Sequence, residues 1–125
     1  MIPFTLSATT PYPTLPYETI KNAILGKRYV LELSFVGTKR AQTINQRSRK
    51  KSYAPNVLSF PYTATHGEIV LCPLVAKREA VPYGMTYEGY IGFLFIHGLL
   101  HLKGYDHGPA MEKLEQKYVG IFNLR

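Results

Sequence analysis

The chain has 125 residues, which is one domain of ordinary size with no room for a second. Hydrophobic residues make up 46% and charged residues 18%, which excludes a disordered chain. The formal charge of +7 is concentrated, because Lys27 to Lys51 holds eight basic residues and one acid, Glu32, while the remainder is balanced. A neutral domain with one basic segment implies a polyanionic partner or, on the blander reading, a solvated basic face that serves solubility.

Ile2 to Leu6 reads as a short strand at a sheet edge, where Pro3 is tolerated. The proline-spaced stretch to Pro16 is a loop. Tyr17 to Leu25 places Ile20, Ala23 and Ile24 on one helical face, and Gly26 stops it. Tyr29 to Val36 alternates Tyr29, Leu31, Leu33 and Phe35 against Val30, Glu32 and Ser34, as a strand does. Thr38 is placed to cap a helix to about Gln46. Arg47-Ser48-Arg49-Lys50-Lys51 then forms a basic loop that ends at Pro55.

Val57 to Phe60, closed by Pro61, and Glu68 to Cys72, opened by Gly67 and closed by Pro73, read as short apolar strands. His66 precedes the second as an ordinary polar loop residue. Pro73 suits the first turn of a helix through about Ala80. After a turn over Val81 to Met85, Thr86 caps a long helix to Lys103, with Glu88 in its favourable first turn. Gly104 sits where a left-handed residue would end it. Pro109 starts a last helix with Met111, Leu114, Tyr118 and Ile121 on one stripe. Strands mixed with helices, without strict βαβ alternation, predict a single α+β (mixed α/β) domain over residues 1–125. It holds a small mixed sheet of roughly four strands packed with about five helices.

A single cysteine, Cys72, precludes a disulfide within the chain and fits a reducing compartment; it is expected to pack at a strand end. The N-terminal residues do not read as a signal peptide. The most apolar stretch, Tyr90 to Leu102, is too short to span a bilayer and holds two histidines. The expected location is the cytoplasm, away from membranes.

Three of the four histidines lie in His97-Gly-Leu-Leu-His101-Leu-Lys-Gly-Tyr-Asp-His107. His97 and His101, four apart on a predicted helix, share one face about one turn apart and can share one metal ion. Gly104 ends the helix and lets the chain double back to present His107. The metal site therefore falls at the C-terminal end of a central buried helix. Three imidazoles leave a tetrahedral Zn²⁺ with an open fourth position, which marks a catalytic site. The spacing resembles the metzincin frame H-E-x-x-H-x-x-G-x-x-H at every position but one. Gly98 stands where those proteases carry their general base, which counts against a peptidase and leaves the metal site intact.

Asp106 adjoins the last histidine as an orienting carboxylate, a proton acceptor or a turn residue. Gly89, Gly92 and Gly98 each weaken the long helix by about 1 kcal/mol relative to alanine, a cost that close approach of another element would offset. Gly98 also stands to keep space open above the metal.

The segment His97-Gly98-x-x-His101-Leu102-x-Gly104-Tyr105-Asp106-His107 resembles the signature of the bacterial YbeY family. Asn56-Val57-Leu58-Ser59-Phe60-Pro61-Tyr62, Gly67-Glu68-Ile69-Val70-Leu71-Cys72, Glu79-Ala80 and Met111-Glu112-x-x-Glu115 agree with it in order, so the resemblance runs from about Ile44 to Tyr118. It implies a zinc-dependent, single-strand-specific endoribonuclease with one Zn²⁺ per chain, acting in 16S ribosomal RNA 3′-end maturation and ribosome quality control. Implied partners are ribosomal RNA and the ribosome or its proteins.

Aligning Asn45 with the family's Asn-x-x-Tyr-Arg stretch puts its functional arginine on Arg49, with Arg47 as a competitor. Ser48 replaces the tyrosine, and Ser52 stands where an acid is usual. A guanidinium matches phosphate oxygens, and Arg47, Lys50 and Lys51 would hold flanking phosphates without sequence preference. The tyrosines offer stacking faces for unpaired bases, although most serve packing. Glu68, Asp106 and a metal-activated water are the candidates for general base. The alternative readings are a non-catalytic zinc-containing ribosome assembly factor and a metallohydrolase of another substrate.

Overall fold

The computed structural model describes residues 2–125. Four strands form one sheet: β1 (Phe4–Ala8), β2 (Val30–Phe35), β3 (Val57–Thr63) and β4 (His66–Leu71), in the spatial order β1-β2-β4-β3. The five helices are α1 (Tyr17–Leu25), α2 (Thr38–Arg49), α3 (Pro73–Ala80), α4 (Tyr87–Lys103) and α5 (Pro109–Ile121). β1 runs parallel to β2 and β2 parallel to β4, so each pair needs a crossover; α1 supplies the first. β3 returns antiparallel to β4 through a tight hairpin in which Thr63 pairs with His66. The sheet is mixed, as expected.

The alternation of β2 sends Leu31, Leu33 and Phe35 to one face, where they join Ile69 and Leu71 of β4 beneath α1 and α4. The opposite face packs Leu58, Val70 and Cys72 against Ala41 of α2. α4 is the centre of the molecule and touches α1, α3, α5, β3 and β4. Ile91, Phe95, Ile96 and Leu99 on it are fully buried, and such burial is what an all-round apolar helix requires. Its N-terminus is capped by Thr86, whose hydroxyl accepts from the Gly89 amide at 3.0 Å. No helix among the described residues is long and apolar enough to cross a membrane.

Several expectations are corrected at element boundaries. α2 does not stop at Gln46 but runs on to Arg49, with Lys50 as its left-handed C-cap. Arginine and lysine are good helix formers, and cations in a last turn oppose the negative end of the helix dipole. Its N-cap is Gly37, without a side-chain bond, and Thr38 is already helical. Pro61 does not end β3, because β3 is an edge strand and the missing amide can face outward. His66 opens β4, where it pairs with Val30, instead of lying in a loop. β1 begins at Phe4, beyond Pro3, and Ala23 is exposed while Tyr17, Ile20 and Ile24 are buried. On α5 the buried face is Met111, Glu115 and Val119, and Ile121 points to solvent. Two residues beyond Val119, at about 100° each, carry Ile121 off that face.

Candidate metal centre and its cleft

His97 and His101 lie one turn apart at the C-terminal end of α4. Gly104 ends the helix with φ 110°, a left-handed conformation that costs glycine nothing, and its amide reaches the His101 carbonyl. The Tyr105 amide bonds the Leu100 carbonyl at 3.0 Å, which folds the chain back and returns His107 to the helix end. The three ring centroids are 4.5, 5.0 and 4.7 Å apart. One nitrogen from each imidazole lies within 4.8 Å of the others.

The hydrogen bonds around the rings test whether the set fits a metal ion. Nδ1 of His97 is 2.6 Å from Oε2 of Glu115, and Nδ1 of His101 is 3.0 Å from the Tyr105 carbonyl oxygen. A carbonyl only accepts, and so does an ionised carboxylate, so both Nδ1 atoms carry the proton. In the neutral rings both Nε2 atoms are therefore bare lone pairs, and they face each other at 3.0 Å. Two such acceptors repel unless a cation lies between them. Two nitrogens on a tetrahedral zinc, each at about 2.0 Å, stand about 3.3 Å apart. Burial lowers the His101 pKa below its ordinary value, with the neighbouring His97 and His107 adding to that effect and the Tyr105 carbonyl opposing it. The neutral form is the one that ligates.

Two cavities meet at these rings. One, of about 440 Å³, is lined by Arg49, Asn56, Ser59, His97, His101 and His107 among others. The other, of about 480 Å³, shares Asn56, Val57, His97 and His107 and extends between α4 and α5. The exposed Arg49, at the end of α2, thus stands in the cavity of the three histidines, whereas Arg47 lines a separate hollow with Lys39, Gln42 and Ser52. Lys50 and Lys51 follow Arg49 on the exposed surface. Asp106 is exposed, and its carboxylate makes no hydrogen bond among the described residues. Glu68 accepts the Tyr62 hydroxyl and lines neither cavity.

Gly98 faces the sheet. A Cβ there would lie 2.9 Å from Ser59 Oγ and 3.1 Å from Ile69 Cδ1. Its carbonyl accepts the Ser59 hydroxyl at 3.2 Å. The glycine thus allows β3 and β4 to approach α4, which is the close approach expected, and it points towards Ser59 and Ile69 of the sheet instead of keeping space open at the histidines.

Two groups of residues went unnoticed as site components. Glu115, 6% exposed, orients His97 from α5. A signal for it existed, since Met111, Glu115 and Val119 recur every four residues with a charge in the middle of an apolar face. The second group is Glu79, whose Oε1 accepts from Asn56 Nδ2 at 3.0 Å and from the Tyr90 hydroxyl at 2.9 Å. Burial and then the bond to Glu79 push the Tyr90 hydroxyl well above the ordinary tyrosine range, so it remains a donor. This pair of bonds fixes Asn56 at the junction of the two cavities.

Comparison with known proteins then decides the family: the family model described as Endoribonuclease YbeY matches residues 14–121. The chain belongs to the YbeY family. The match reaches back to residue 14, so it includes α1 and β2, ahead of the stretch from about Ile44 that carries the resemblance in the sequence. Endoribonuclease YbeY of Bdellovibrio bacteriovorus is 48% identical over 100 residues, covering 78% of this chain and 64% of that protein. The Mesoplasma florum YbeY protein is 39% identical over 112 residues, 81% of this chain and 63% of its own length. That of Campylobacter jejuni is 38% identical over 110 residues, covering 82% of this chain and 81% of the relative. The chain thus spans slightly under two thirds of the first two relatives. The solution structure of TM1509 from Thermotoga maritima superposes with a TM-score of 0.66 at 26% identity, over 93% of this chain and 86% of that one.

Proposed function

We propose that this chain is a metal-dependent endoribonuclease of unpaired RNA. The observation that carries the reading is the position of Arg49, whose side chain lines the same cavity as His97, His101 and His107. The names of its relatives give the substrate class, and the basic run around Arg49 supplies the complementary charge. Within this reading the three histidines hold one Zn²⁺ per chain, and Glu115 and the Tyr105 carbonyl fix the tautomers of His97 and His101. When bound, zinc supplies Lewis-acid polarisation of a phosphoryl oxygen and lowers the pKa of water.

The chain's own residues do the remainder. Arg49 presents a planar fork to the phosphate and balances the charge that grows on its oxygens. Lys50 and Lys51 hold neighbouring phosphates. Asp106 is the one carboxylate in the turn that bears His107, and its exposure lets it exchange a proton with solvent. Gly98, directed at Ser59, leaves no position for a peptidase base on that turn of α4. In the cell the substrate is the 3′ region of 16S ribosomal RNA and the setting is the ribosome.

The test uses purified protein on a structured RNA with paired and unpaired tracts. Cleavage should fall in unpaired tracts, stop with a chelator and return with zinc. Arg49→Ala should keep its zinc and lose most cleavage. Undiminished cleavage in chelator, or zinc-replete protein that cuts no RNA, would overturn the reading.

A further inference from the structure

The two cavities at the histidines differ in chemistry. The Arg49 side is walled by Leu58, Ser59 and Pro61 and, beyond the three imidazoles, carries no tyrosine or phenylalanine ring. The α5 side is walled by Tyr83, Tyr90 and Phe93, with Met111 at its base and Glu112 and Gln116 at its rim. The three rings form a series: Tyr83 lies on Tyr90 with centroids 5.2 Å apart and planes 28° apart, and Tyr90 on Phe93 at 6.1 Å and 19°. Tyr90 is 2% exposed and anchored to Glu79, yet Tyr83 is 66% exposed. The backbone of Tyr83 is fixed as well: its amide bonds the Ala80 carbonyl at 3.1 Å, and the next two amides bond Val81 and Ala80. An exposed aromatic face held rigid by its own stack loses little entropy when a flat ligand covers it.

A volume of about 480 Å³ lies within the range that encloses a small ligand. Asn56, held by Glu79, and the rim residues provide polar atoms for a base edge. The cavity shares His97 and His107 with the Arg49 side, so a strand whose phosphate lies between those rings sends the adjoining nucleotide into it. We propose that the cavity walled by Tyr83, Phe93 and Met111 is a nucleobase subsite for the residue next to the cleaved phosphate. The base stacks there, and only an unpaired nucleotide can enter. Rejection of duplex RNA then comes from this cavity, since a base in an A-form helix cannot leave its stack without cost. The inference rests on the endoribonuclease reading for its orientation beside a phosphate.

Two measurements test it. In the first, the zinc-loaded protein is titrated by NMR with adenosine 5′-monophosphate and, separately, with ribose 5-phosphate. The expected result is shifts at the amides of Tyr83, Phe93, Met111 and Gln116 with the nucleotide alone. Equal shifts with ribose 5-phosphate, or nucleotide shifts confined to other residues, overturn the subsite. In the second, an unpaired oligonucleotide is made abasic on each side of the cut in turn. One of the two positions should lose about tenfold or more in affinity and cleavage, the scale of one stacked base. In Tyr83→Ala, an exposed position that leaves the core intact, that penalty should largely vanish. An unchanged penalty in Tyr83→Ala overturns the proposal. Wild-type protein that cuts nothing but shows base-dependent shifts refutes the nuclease and supports the subsite; cutting with no base dependence at either position refutes the subsite alone.

Discussion

The proton on Nδ1 of His97 belongs to a bond with Glu115, and that bond makes Nε2 a lone pair aimed at its neighbour. Removing any imidazole leaves two ligands, so His97→Ala, His101→Ala and His107→Ala should each lose most of their zinc. Glu115→Gln keeps the volume but not the charge, and it should retain the fold while zinc affinity drops about 10- to 100-fold, the usual cost of losing an orienting carboxylate. Competition with a chromophoric chelator measures both. Full zinc in all three histidine variants, or unchanged affinity in Glu115→Gln, would remove the centre. The histidines were legible because their spacing is local, within one helix and the turn after it. Glu115 was not, because it arrives from α5 and only its place in an apolar stripe betrays it. The sequence favoured Arg49 over Arg47 only through the register set at Asn45, because the two lie two apart in one basic run; on a helix that spacing turns them about 200° from each other, so only one faces the cleft. Arg47→Ala should therefore leave cleavage within about twofold of wild type while Arg49→Ala does not, and comparable losses in the two would contradict the geometry.

Among the elements, α2 and α4 show where pattern reading succeeds and where it stops. α4 was legible end to end because its cap, its apolar run and Gly104 are all local signals. The end of α2 was not, because Arg47, Ser48 and Arg49 carry no apolar period and read as a loop. Helix propensity and the dipole decide the matter instead. The consequence is functional, since a helix end holds Arg49 more firmly than a loop would. Gly98 marks the other contact that matters, where α4 meets β3 and β4. Gly98→Ala gains about 1 kcal/mol of helix propensity and pays about 1–3 kcal/mol of overpacking against Ser59 and Ile69, so the net should be a small destabilisation. Combining it with Ser59→Ala removes the nearer atom and should recover part of the loss. Gly98→Glu, which would restore the protease frame, forces a long charged side chain into that contact and should cost at least about 2 kcal/mol in urea melts. It should gain no peptidase activity, because the position faces the sheet. A fully stable Gly98→Glu variant would show that α4 stands off from β3.

At the scale of the molecule, the excess charge runs along one side of the sheet. Lys39, Arg40, Arg47 and Arg49 on α2, with Lys50 and Lys51 after it, account for most of the segment that carries the +7. Arg49 alone of these lines the cavity of the histidines, while Lys39 and Arg47 share a different hollow. If binding is local to the cleft, Arg49, Lys50 and Lys51 supply the phosphate contacts. Each contact to single-stranded RNA contributes about −0.7 to the slope of log K against log salt, so three give roughly −2. If the whole of α2 tracks the strand, six contacts give roughly −4 on the same basis. Anisotropy of a short unpaired RNA on metal-free protein, which does not cut it, across a salt series reads the slope directly. The local arrangement predicts the shallower value. It also predicts that neutralising Lys50 and Lys51 together removes about 1.4 from it, and that Lys39→Ala with Arg40→Ala leaves it unchanged. A slope near −4 that falls with Lys39 and Arg40 would extend the RNA path along α2. A flat series would reduce the basic face to a means of solubility and deprive Arg49 of its phosphate.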